Sequence, residues 1–567
     1  MDALPSSALD MLEWGWEQYE PYTQALLDQD VNADTIDAWL ADWTKFARLL
    51  YEVYSRLYVA LSVDTTDEAA ENRFNAFIEG VMPHMQVVDD QLNRKLLDSG
   101  LEPEELTVPL RGIRKSVELF REENIPLITE LTKLGNEYDK IAGAQTIEWE
   151  GEEKTLSQMA PVFMSTDRDK REKAFRLIME RRLQDRETLN DLWVKMLKLR
   201  HQMAANAGFD NFLEFQWQRL GRFDYTPDDA LRLQETIAEV VVPAVERINE
   251  RRRQRMGLDV LKQWDLMVDP EGRDPLAPFS TGEELAAGAA RIFNQVDPEL
   301  GGYFQEMRDG NLLDLENRKG KAPGGYCTSY PNIHKPFIFQ NAVGIHDDVQ
   351  TTLHEAGHAF HVFESAHLPY QHQEDVPMEF AEVASMSMEL LAAPYLTSDK
   401  GGFYSEEEAA RARVEHLEGS IVFWPYMAVV DAFQHWVYTS GDAALDPANC
   451  DAKWTELWHT YKQGVDYSGL EDWIATGWQR KLHIFQLPFY YIEYGLAQLG
   501  AVQVWGNSLS DQAGALANYR KALSLGGTAK LPDLFAAAGA KLAFDVETMQ
   551  TAIDLMESTI NELDPVS

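Results

Sequence analysis

Apolar and aromatic residues recur every three or four positions along most of the chain, which is the spacing of a helix with one buried face. In residues 11–143 this spacing is marked by Trp39, Trp43 and Phe46, and glycine and proline are few. The same spacing returns in residues 167–256, where charged residues occupy the intervening positions. The pattern therefore predicts a mainly α-helical protein.

A short stretch between these two helical regions has a different period. Residues 144–155 alternate apolar and polar positions and turn near Gly151, as the two strands of a β-hairpin would. We take this hairpin as the boundary between an N-terminal helical domain, residues 1–143, and a larger region, residues 144–567.

A second break in the helical pattern covers residues 301–344, which are rich in glycine, proline and aromatic residues. Such a composition predicts short strands and loops, and residues 337–341 (FIFQN) are typical of a strand. Residues 347–350 (DDVQ) then resemble a capping box, with an acidic N-cap and a glutamine at the third helical position. We therefore predict that a helix begins near Asp348.

The helix predicted to begin there contains residues 354–358 (HEAGH), an HExxH pattern. Side chains four apart on a helix differ by about 40° in azimuth, so His354 and His358 can bind one divalent metal, most naturally zinc. Glu355 lies about 100° round the helix, where it can act as the general base on a water in the open coordination position. We predict one zinc ion per chain.

The residues that follow this motif do not supply the third ligand. The metzincin pattern has Gly at position 361 and His at position 364, but this chain has His361 and Glu364. In a continuing helix their side chains lie about 10 to 15 Å along the axis from His354. The third ligand is therefore expected on another helix.

The next helical segment, residues 378–391, contains three candidate carboxylates. Glu382 and Glu389 are seven positions apart and share a face, whereas Glu379 lies about 60° away from Glu382. We predict that Glu382 is the third ligand and that Glu389 orients a metal-bound histidine. The small residues at positions 384 and 385 would let this helix approach the first one closely.

Several longer motifs extend the pattern beyond the two helices. They are HEAGHAFH, FAEVASMSMELL, RKGKAPGGYC, FIFQN, WPYMAVVDAFQHWVY and HIFQLPFYYIEYG, all between residues 314 and 495. In these motifs the sequence resembles the M3 family of zinc oligopeptidases, in particular its oligoendopeptidase F branch. The family's zinc ligands and base match His354, His358, Glu382 and Glu355, in agreement with the geometric assignment.

The resemblance also implies a fold and further site residues. The fold is a large helical body around a deep central channel, with a small β-sheet near the zinc site. A histidine and tyrosines of the C-terminal motif donate hydrogen bonds to the developing oxyanion; His483, Tyr490 and Tyr494 match them. Because the spacing from His to Tyr varies between branches, the choice among Tyr490, Tyr491 and Tyr494 stays open.

Two substrate-binding features follow from the same resemblance. Residues 337–341, with Phe339 at their centre, are expected to form an edge strand whose free backbone groups pair with an extended peptide. Gly325 and Tyr326 are expected in a loop that approaches the peptide closely.

The charge and the cysteine content restrict the partners. The chain has 51 Lys and Arg against 93 Asp and Glu, a net charge of −42, which disfavours nucleic acids and anionic membranes. A soluble self-repelling surface, an acidic channel and adaptation to high salt all remain possible reasons for this acidity. Cys327 and Cys450 lie far apart without a CxxC spacing and are predicted to be free thiols.

The same sequence gives no sign of export or of a membrane span. No Lys or Arg precedes Lys45, so a secretory signal is not expected and we predict a cytoplasmic protein. The longest nearly apolar stretch, residues 421–433, is shorter than the roughly 18 to 20 residues that a span requires.

Together these features predict a zinc metalloendopeptidase, with residues 144–567 as its catalytic region, that cleaves internal bonds of short peptides. The oligomeric state is left open. A helical HExxH zinc carboxypeptidase is the main alternative, but it needs a cation for the substrate's C-terminal carboxylate, and no motif identifies one. A silent peptide-binding protein and a scaffold with a chance HExxH are two others, disfavoured by Glu355 and by the downstream motifs respectively.

Overall fold

Helices form most of the chain in the computed structural model, which describes residues 3–318, 320–322 and 324–564. The α-helices of these residues are α1 (Trp16–Asp28), α2 (Ile36–Val63), α3 (Glu68–Gly80), α4 (Met82–Asp98), α5 (Pro109–Leu119), α6 (Ile125–Gly143), α7 (Ala160–Phe163), α8 (Arg168–Leu183), α9 (Arg186–Asn206), α10 (Phe212–Arg219), α11 (Pro227–Thr236), α12 (Val242–Arg255), α13 (Gly282–Val296), α14 (Pro298–Asp309), α15 (His346–Ser365), α16 (Met378–Ala392), α17 (Glu406–Thr439), α18 (Pro447–Tyr461), α19 (Glu471–Ala475), α20 (Leu482–Gln486), α21 (Tyr491–Ser510), α22 (Gln512–Ser524), α23 (Leu531–Ala537) and α24 (Val546–Leu563). The strands are β1 (Thr146–Trp149), β2 (Glu152–Thr155), β3 (Leu313–Glu316), β4 (Tyr326–Tyr330) and β5 (Lys335–Ala342). The predicted mainly helical fold is confirmed.

The predicted hairpin is formed by β1 and β2, which pair antiparallel from Thr146 opposite Thr155 to Trp149 opposite Glu152. The two turn residues, Glu150 and Gly151, both have positive φ, at 54° and 87°. Two consecutive positive φ values allow a two-residue turn whose twist matches that of the strands. The hairpin therefore lies where its period-two pattern predicted it.

The buried residues form separate cores on either side of α5. One cluster contains buried residues from Leu4 to Ile113. The larger cluster extends from Leu119 to Ile560 and includes Leu134 of α6. The domain division at residue 143 stays a prediction, and α6 packs with the larger core.

Three strands form the sheet beside the candidate site, in the order β3-β5-β4. Strand β5 pairs parallel with β3 and antiparallel with β4, with Phe339 opposite both Asp314 and Tyr326. The prediction that residues 337–341 form an edge strand was therefore wrong. An apolar run is also typical of a central strand, because a central strand is covered on both faces.

Two helices cover the faces of this sheet. Ile338 belongs to the large core together with Leu353 of α15, while Phe337 and Phe339 cluster with Val59 of α2. This division follows the alternation of side chains along a strand. The sheet is thus held between the N-terminal helix α2 and the helix that carries the HExxH motif.

Helix α15 begins at His346, two residues before the predicted start. Asp348 occupies the third helical position, and its Oδ2 accepts hydrogen bonds from the amides of Val343, Gly344 and Ile345 at 2.8 to 3.0 Å. The acidic residue caps the helix from inside its first turn, where three free amides converge. The helix then continues to Ser365, so it passes His361 and Glu364 as predicted.

Helices α15 and α16 approach each other at small residues. An added Cβ on Gly357 would lie 2.5 Å from the Cα atom of Ser385 and 2.7 Å from the carbonyl oxygen of Ala384. No side chain larger than hydrogen fits at position 357 without moving one helix. This contact sets the spacing between the HExxH helix and the helix that carries Glu382.

The apolar stretch at residues 421–433 lies inside the 34-residue helix α17. Its one acidic residue, Asp431, is fully buried and accepts a hydrogen bond from Gln234 at 2.6 Å. Among the described residues, no helix combines the length and the apolar character needed to cross a membrane.

Candidate metal centre

The predicted ligands come together between α15 and α16. The Nε2 atoms of His354 and His358 lie 3.3 Å and 3.6 Å from Oε2 of Glu382. One donor atom from each of the three residues lies within 4.8 Å of the other two. In the part of the chain that the structure describes, no other group of three such residues has this geometry.

The donor set fits zinc. Two imidazole nitrogens and one carboxylate oxygen are a common protein ligand set for catalytic zinc, which keeps a fourth position for water or substrate. No lysine or arginine of the described residues pairs with Glu382, which is 2% exposed. A buried carboxylate that faces two imidazole nitrogens is an arrangement that a divalent cation stabilises.

Glu389 lies behind His354, as predicted for a residue that orients a ligand. Its Oε1 lies 2.7 Å from Nδ1 of His354, and its Oε2 lies 2.7 Å from Nε2 of His416. The first contact leaves Nε2 of His354 free to face the metal position, which fixes the tautomer. Burial opposes the ionised form of Glu389, but the hydrogen bonds from both histidines lower its pKa to about 2.

His416 was missed in the sequence. It lies on α17, in a charged stretch with no motif around it. The spacing that singled out Glu389 depends on a single helix, whereas the contact of Glu389 with His416 depends on how two distant helices pack. No local signal in the sequence could have found it.

Glu355 is buried beside the ligands, with 6% of its surface exposed. Burial raises its pKa to about 7, and the charges of Glu382 and Glu389 act in the same direction. An added Cβ on Gly325 would lie 3.8 Å from Oε1 of Glu355. The predicted close approach of the Gly325 loop is therefore an approach to Glu355.

The C-terminal motif lies against the same centre. The Tyr490 hydroxyl donates a hydrogen bond to Oε1 of Glu382 at 2.7 Å. The Tyr494 hydroxyl lies 3.5 Å from Nε2 of His483, and the rings of Tyr490 and Tyr494 are 5.1 Å apart. Tyr491 is buried and packs against Tyr426. The predicted His483, Tyr490 and Tyr494 are thus brought together.

Burial determines the protonation of these groups. It lowers the pKa of His483 to about 3, and the charge of Lys481 lowers it further, so the imidazole is neutral at pH 7. Burial and the charge of Glu382 raise the pKa of both Tyr490 and Tyr494. Both phenols therefore remain protonated and can donate hydrogen bonds.

The turn before α21 is held by an arginine that the sequence analysis did not single out. Nη2 of Arg222 donates to the carbonyl oxygen of Phe489 at 2.6 Å and to Oε1 of Glu493 at 2.7 Å. Phe489 has a φ of 69°, in the left-handed region. Helix α21 follows this turn and begins at Tyr491, with Tyr490 at its N-cap.

Glu379 belongs to this arginine network and not to the ligands. Its Oε1 accepts a hydrogen bond from the Tyr225 hydroxyl at 2.6 Å and lies 3.5 Å from Nε of Arg222. One helical turn thus separates a carboxylate that faces the histidines, Glu382, from one that faces an arginine. The predicted difference in azimuth between Glu379 and Glu382 therefore places the two carboxylates in different environments.

The predicted substrate contacts are changed by the sheet order. The Phe339 side chain is fully buried and stacks on Tyr326, with ring centroids 4.8 Å apart. Its backbone is paired on both sides, so Phe339 cannot contact a peptide as predicted. The edge strands of the sheet are β3 and β4, and β4 begins at Tyr326, next to Gly325.

Known protein families match this arrangement. Peptidase family M3 matches residues 162–554, and the Peptidase M3 N-terminal domain matches residues 11–106. The first match covers more than half of the chain. The chain therefore belongs to peptidase family M3.

Its relatives include oligoendopeptidase F proteins, so the resemblance seen in the motifs is confirmed. It is 25% identical over 336 residues to "Oligoendopeptidase F, chromosomal" of Lactococcus lactis subsp. cremoris, covering 57% of this chain and 52% of that protein. An oligoendopeptidase F homolog of Borreliella burgdorferi is 19% identical, with coverage of 98% and 94%. The chain spans about half the length of the Lactococcus relative.

A solved structure of PZ peptidase A with an inhibitor has the same fold. It superposes with a TM-score of 0.91 at 29% identity, covering 97% of this chain and 98% of that one. The similarity extends over both the N-terminal helices and the metal helices.

Proposed function

We propose that this protein is a zinc-dependent endopeptidase that hydrolyses internal bonds of short peptides. The observation that carries the proposal is the position of Glu355, a buried carboxylate next to the His354, His358 and Glu382 group. A general base beside a three-ligand metal group is the arrangement that hydrolysis by a metal-activated water requires. Membership of peptidase family M3 supports it.

His354, His358 and Glu382 would hold one zinc ion per chain. When bound, zinc lowers the pKa of a coordinated water and polarises the carbonyl of the scissile bond. Glu389 keeps His354 in the tautomer that presents Nε2 to the metal, through the 2.7 Å contact with Nδ1. Glu389 is in turn held by His416, at 2.7 Å from its other oxygen.

Glu355 moves the protons of the reaction. Its carboxylate accepts a proton from the attacking water and delivers it to the nitrogen of the leaving amine. Burial raises the pKa of this carboxyl group, which makes its carboxylate a stronger base toward the water. The narrow approach of Gly325 limits the space around this carboxylate.

Tyr494 is the donor that we assign to the carbonyl oxygen. The Tyr490 hydroxyl already donates to Glu382 at 2.7 Å, whereas the Tyr494 hydroxyl lies beside the neutral His483 and has no carboxylate acceptor among the described residues. A preorganised phenol and a neutral imidazole both stabilise negative charge that develops on oxygen. Tyr490 then acts mainly by holding the ligand Glu382.

The peptide would bind along the free edge of β4. Residues 326–330 form an edge strand that is paired with β5 on one side, and α15 covers the adjoining face of the sheet. An extended peptide can add to such an edge as a further strand. The proposed peptide-binding strand is therefore β4 and not β5. Gly325 and Tyr326 remain neighbours of the substrate in this assignment.

A deep channel is supported by side chains that are accessible and yet poorly solvated. Tyr51 of α2 is 58% exposed, but burial raises its pKa to about 12. Asp347 and Asp375 are also exposed, and burial raises the pKa of each. Side chains that are both exposed and surrounded by protein lie on concave surfaces, as in the predicted channel. Cys327 and Cys450 are both free thiols, as predicted.

Mass spectrometry of a peptide mixture tests the activity. Peptides of about 5 to 30 residues and one folded protein are incubated with the zinc-loaded enzyme, with and without a chelator. We expect internal, chelator-sensitive cuts in the short peptides alone. The Glu355→Gln variant, which keeps the ligands, is the control and should cut nothing.

Two other results would point elsewhere. Removal of one residue at a time from C-termini would establish the carboxypeptidase alternative. Cuts that persist at full rate in Glu355→Gln, or after zinc removal, would contradict the proposed mechanism.

A further inference from the structure

Three cations lie close together without an acidic partner. Arg182 is in the last turn of α8, and Arg480 and Lys481 lie in the segment between α19 and α20. All three side chains are partly buried. Within 4.0 Å of their charged atoms there is no carboxylate among the described residues, whereas the buried Arg171 and Arg222 each pair with one.

The contrast with other buried cations is informative because acidic residues are abundant. Arg171 pairs with Asp265 at 2.9 Å, and Arg222 pairs with Glu493 at 2.7 Å. The chain has 93 acidic residues for 51 basic ones. The buried Arg200 also has no carboxylate partner, but its guanidinium donates hydrogen bonds to the Tyr438 hydroxyl and to the carbonyl oxygens of Ile484 and Phe485.

Aromatic rings hold Arg480 and Lys481 in place but do not neutralise them. The guanidinium carbon of Arg480 lies 4.1 Å from the ring centroid of Trp473, and Nζ of Lys481 lies 4.8 Å from that of Tyr491. Burial and the charge of Arg480 lower the pKa of Lys481 to about 8 and that of Arg182 to about 10. An anion bound at this cluster would offset the loss of hydration of the cations and the repulsion among them.

The cluster adjoins the proposed active site. The Tyr491 ring, which contacts Lys481, lies 4.9 Å from the ring of His483 between centroids. Lys481 is also close enough for its charge to lower the pKa of His483. A single ring thus separates Lys481 from His483, a distance that about three residues of an extended peptide span.

We propose that Arg182, Arg480 and Lys481 form a subsite that binds a carboxylate of the peptide substrate. The proposal rests on the proposed peptidase function. The carboxylate is either the C-terminal group of the peptide or the side chain of an aspartate or glutamate. In a protein of net charge −42, this subsite is the local feature that would offset repulsion of acidic peptides.

One quenched-fluorescence peptide, made in matched acidic and neutral forms, tests the subsite. Each position around the cut carries Asp or Asn in turn, and the C-terminus is either free or amidated. For the wild-type enzyme we expect one position at which the carboxylate raises kcat/KM about tenfold. If that position is the C-terminus, the ligand is the terminal carboxylate; if it is internal, the ligand is a side chain.

The variants separate the cluster from general charge effects. In Lys481→Met and Arg182→Met the acidic-to-neutral ratio of kcat/KM should fall toward one, and in Lys481→Arg it should persist. Lys400→Met removes a lysine that stacks on Tyr395 elsewhere, at 6.0 Å, and should keep the wild-type ratio. The two methionine variants lie on separate elements, so a folding defect in one leaves the other informative.

A ratio near one at every position of the substrate, measured with the wild-type enzyme, would overturn the proposal, as would an unchanged ratio in both methionine variants.

Binding provides the second readout. Calorimetry compares the acidic and neutral peptides on Glu355→Gln and on Glu355→Gln with Lys481→Met. If no peptide is cleaved, but acidic peptides bind Glu355→Gln more tightly in a Lys481-dependent way, the peptidase proposal fails and the subsite stands. Equal binding of both forms overturns the subsite.

Discussion

Glu382 serves two groups at once. Its Oε2 faces both histidines of the HExxH motif, and its Oε1 accepts the Tyr490 hydroxyl. Ser385 donates a further hydrogen bond to Oε2 at 3.0 Å. A ligand restrained at both oxygens keeps one orientation, which fixes the distance between α16 and the metal position.

The ligand assignment predicts a difference between two neighbouring carboxylates. Glu382→Gln should lower zinc affinity by more than about 100-fold, because it removes a ligand charge. Glu379→Gln should keep the metal, because its partners are Tyr225 and Arg222. Zinc per chain, measured by plasma mass spectrometry after dialysis against a weak chelator, checks both variants. If Glu379→Gln alone lost zinc, the third ligand would be Glu379 and not Glu382.

Tyr494 is predicted to act on the transition state. Tyr494→Phe should lower kcat about 100-fold with a small change in KM, because the lost hydrogen bond forms only as charge develops on the oxygen. Tyr491→Phe is the matched control, since Tyr491 is buried against Tyr426, and it should keep most of the activity. Steady-state kinetics on one peptide compare them. Equal losses in the two variants would assign Tyr494 a packing role.

The metal centre depends on how two helices are spaced. Helix α15 carries two ligands and the base, α16 carries the third ligand and Glu389, and Gly357 lies where the two helices touch. The small residues Ala384 and Ser385 were expected to allow this approach. In the structure it is Gly357 that makes the approach possible, because an added Cβ there would lie 2.5 Å from the Ser385 backbone.

Gly357→Ala should therefore destabilise the protein, although alanine is the better helix former. Separating the helices is expected to cost about 1 to 3 kcal/mol of unfolding free energy and to weaken zinc binding. Gly419→Ala in α17 is the matched control, since no atom lies within 4 Å of its added Cβ, and it should stabilise by up to about 1 kcal/mol. Thermal denaturation of both variants measures the difference. An unchanged or raised Tm in Gly357→Ala would show that the helices can move apart freely.

The whole molecule carries a large negative charge around this centre. The net charge is −42, and the sequence pI is near 4.6. Many carboxylates pair with arginine or lysine at the surface, but exposed pairs of this kind contribute little to stability. Repulsion among the remaining carboxylates opposes the compact state.

Salt should consequently stabilise the fold. Raising NaCl from about 10 mM to about 500 mM shortens the Debye length from about 30 Å to a few Å, so Tm should rise by several degrees. The rise should shrink as the pH approaches 4.6, where the net charge vanishes. Differential scanning calorimetry at several pH values measures it. A Tm that is independent of salt at pH 7 would show that the ion pairs already balance the repulsion.

Local periodicity accounts for the parts of this protein that the sequence predicted correctly. The positions i and i+4 of a helix place His354 and His358 on one side, and a seven-residue interval does the same for Glu382 and Glu389. The alternation around Gly151 predicted the hairpin. These relations hold within one element, so they can be predicted before the fold is known.

Long-range packing decided the rest. Strand β5 is central because β3 and β4 pair with it on either side. An apolar sequence is typical of both central and edge strands, so the sequence alone could not distinguish them. Two further contacts join segments that are far apart in the chain. One is between His416 and Glu389, and the other is between Arg222 and the turn before Tyr490. Periodicity carries no information about which distant elements meet, because that choice depends on the packing of the whole core. The amino-acid pattern thus specified the His354, His358 and Glu382 group and the place of Glu355 beside it, while the tertiary fold set the residues that support the group and the order of the strands.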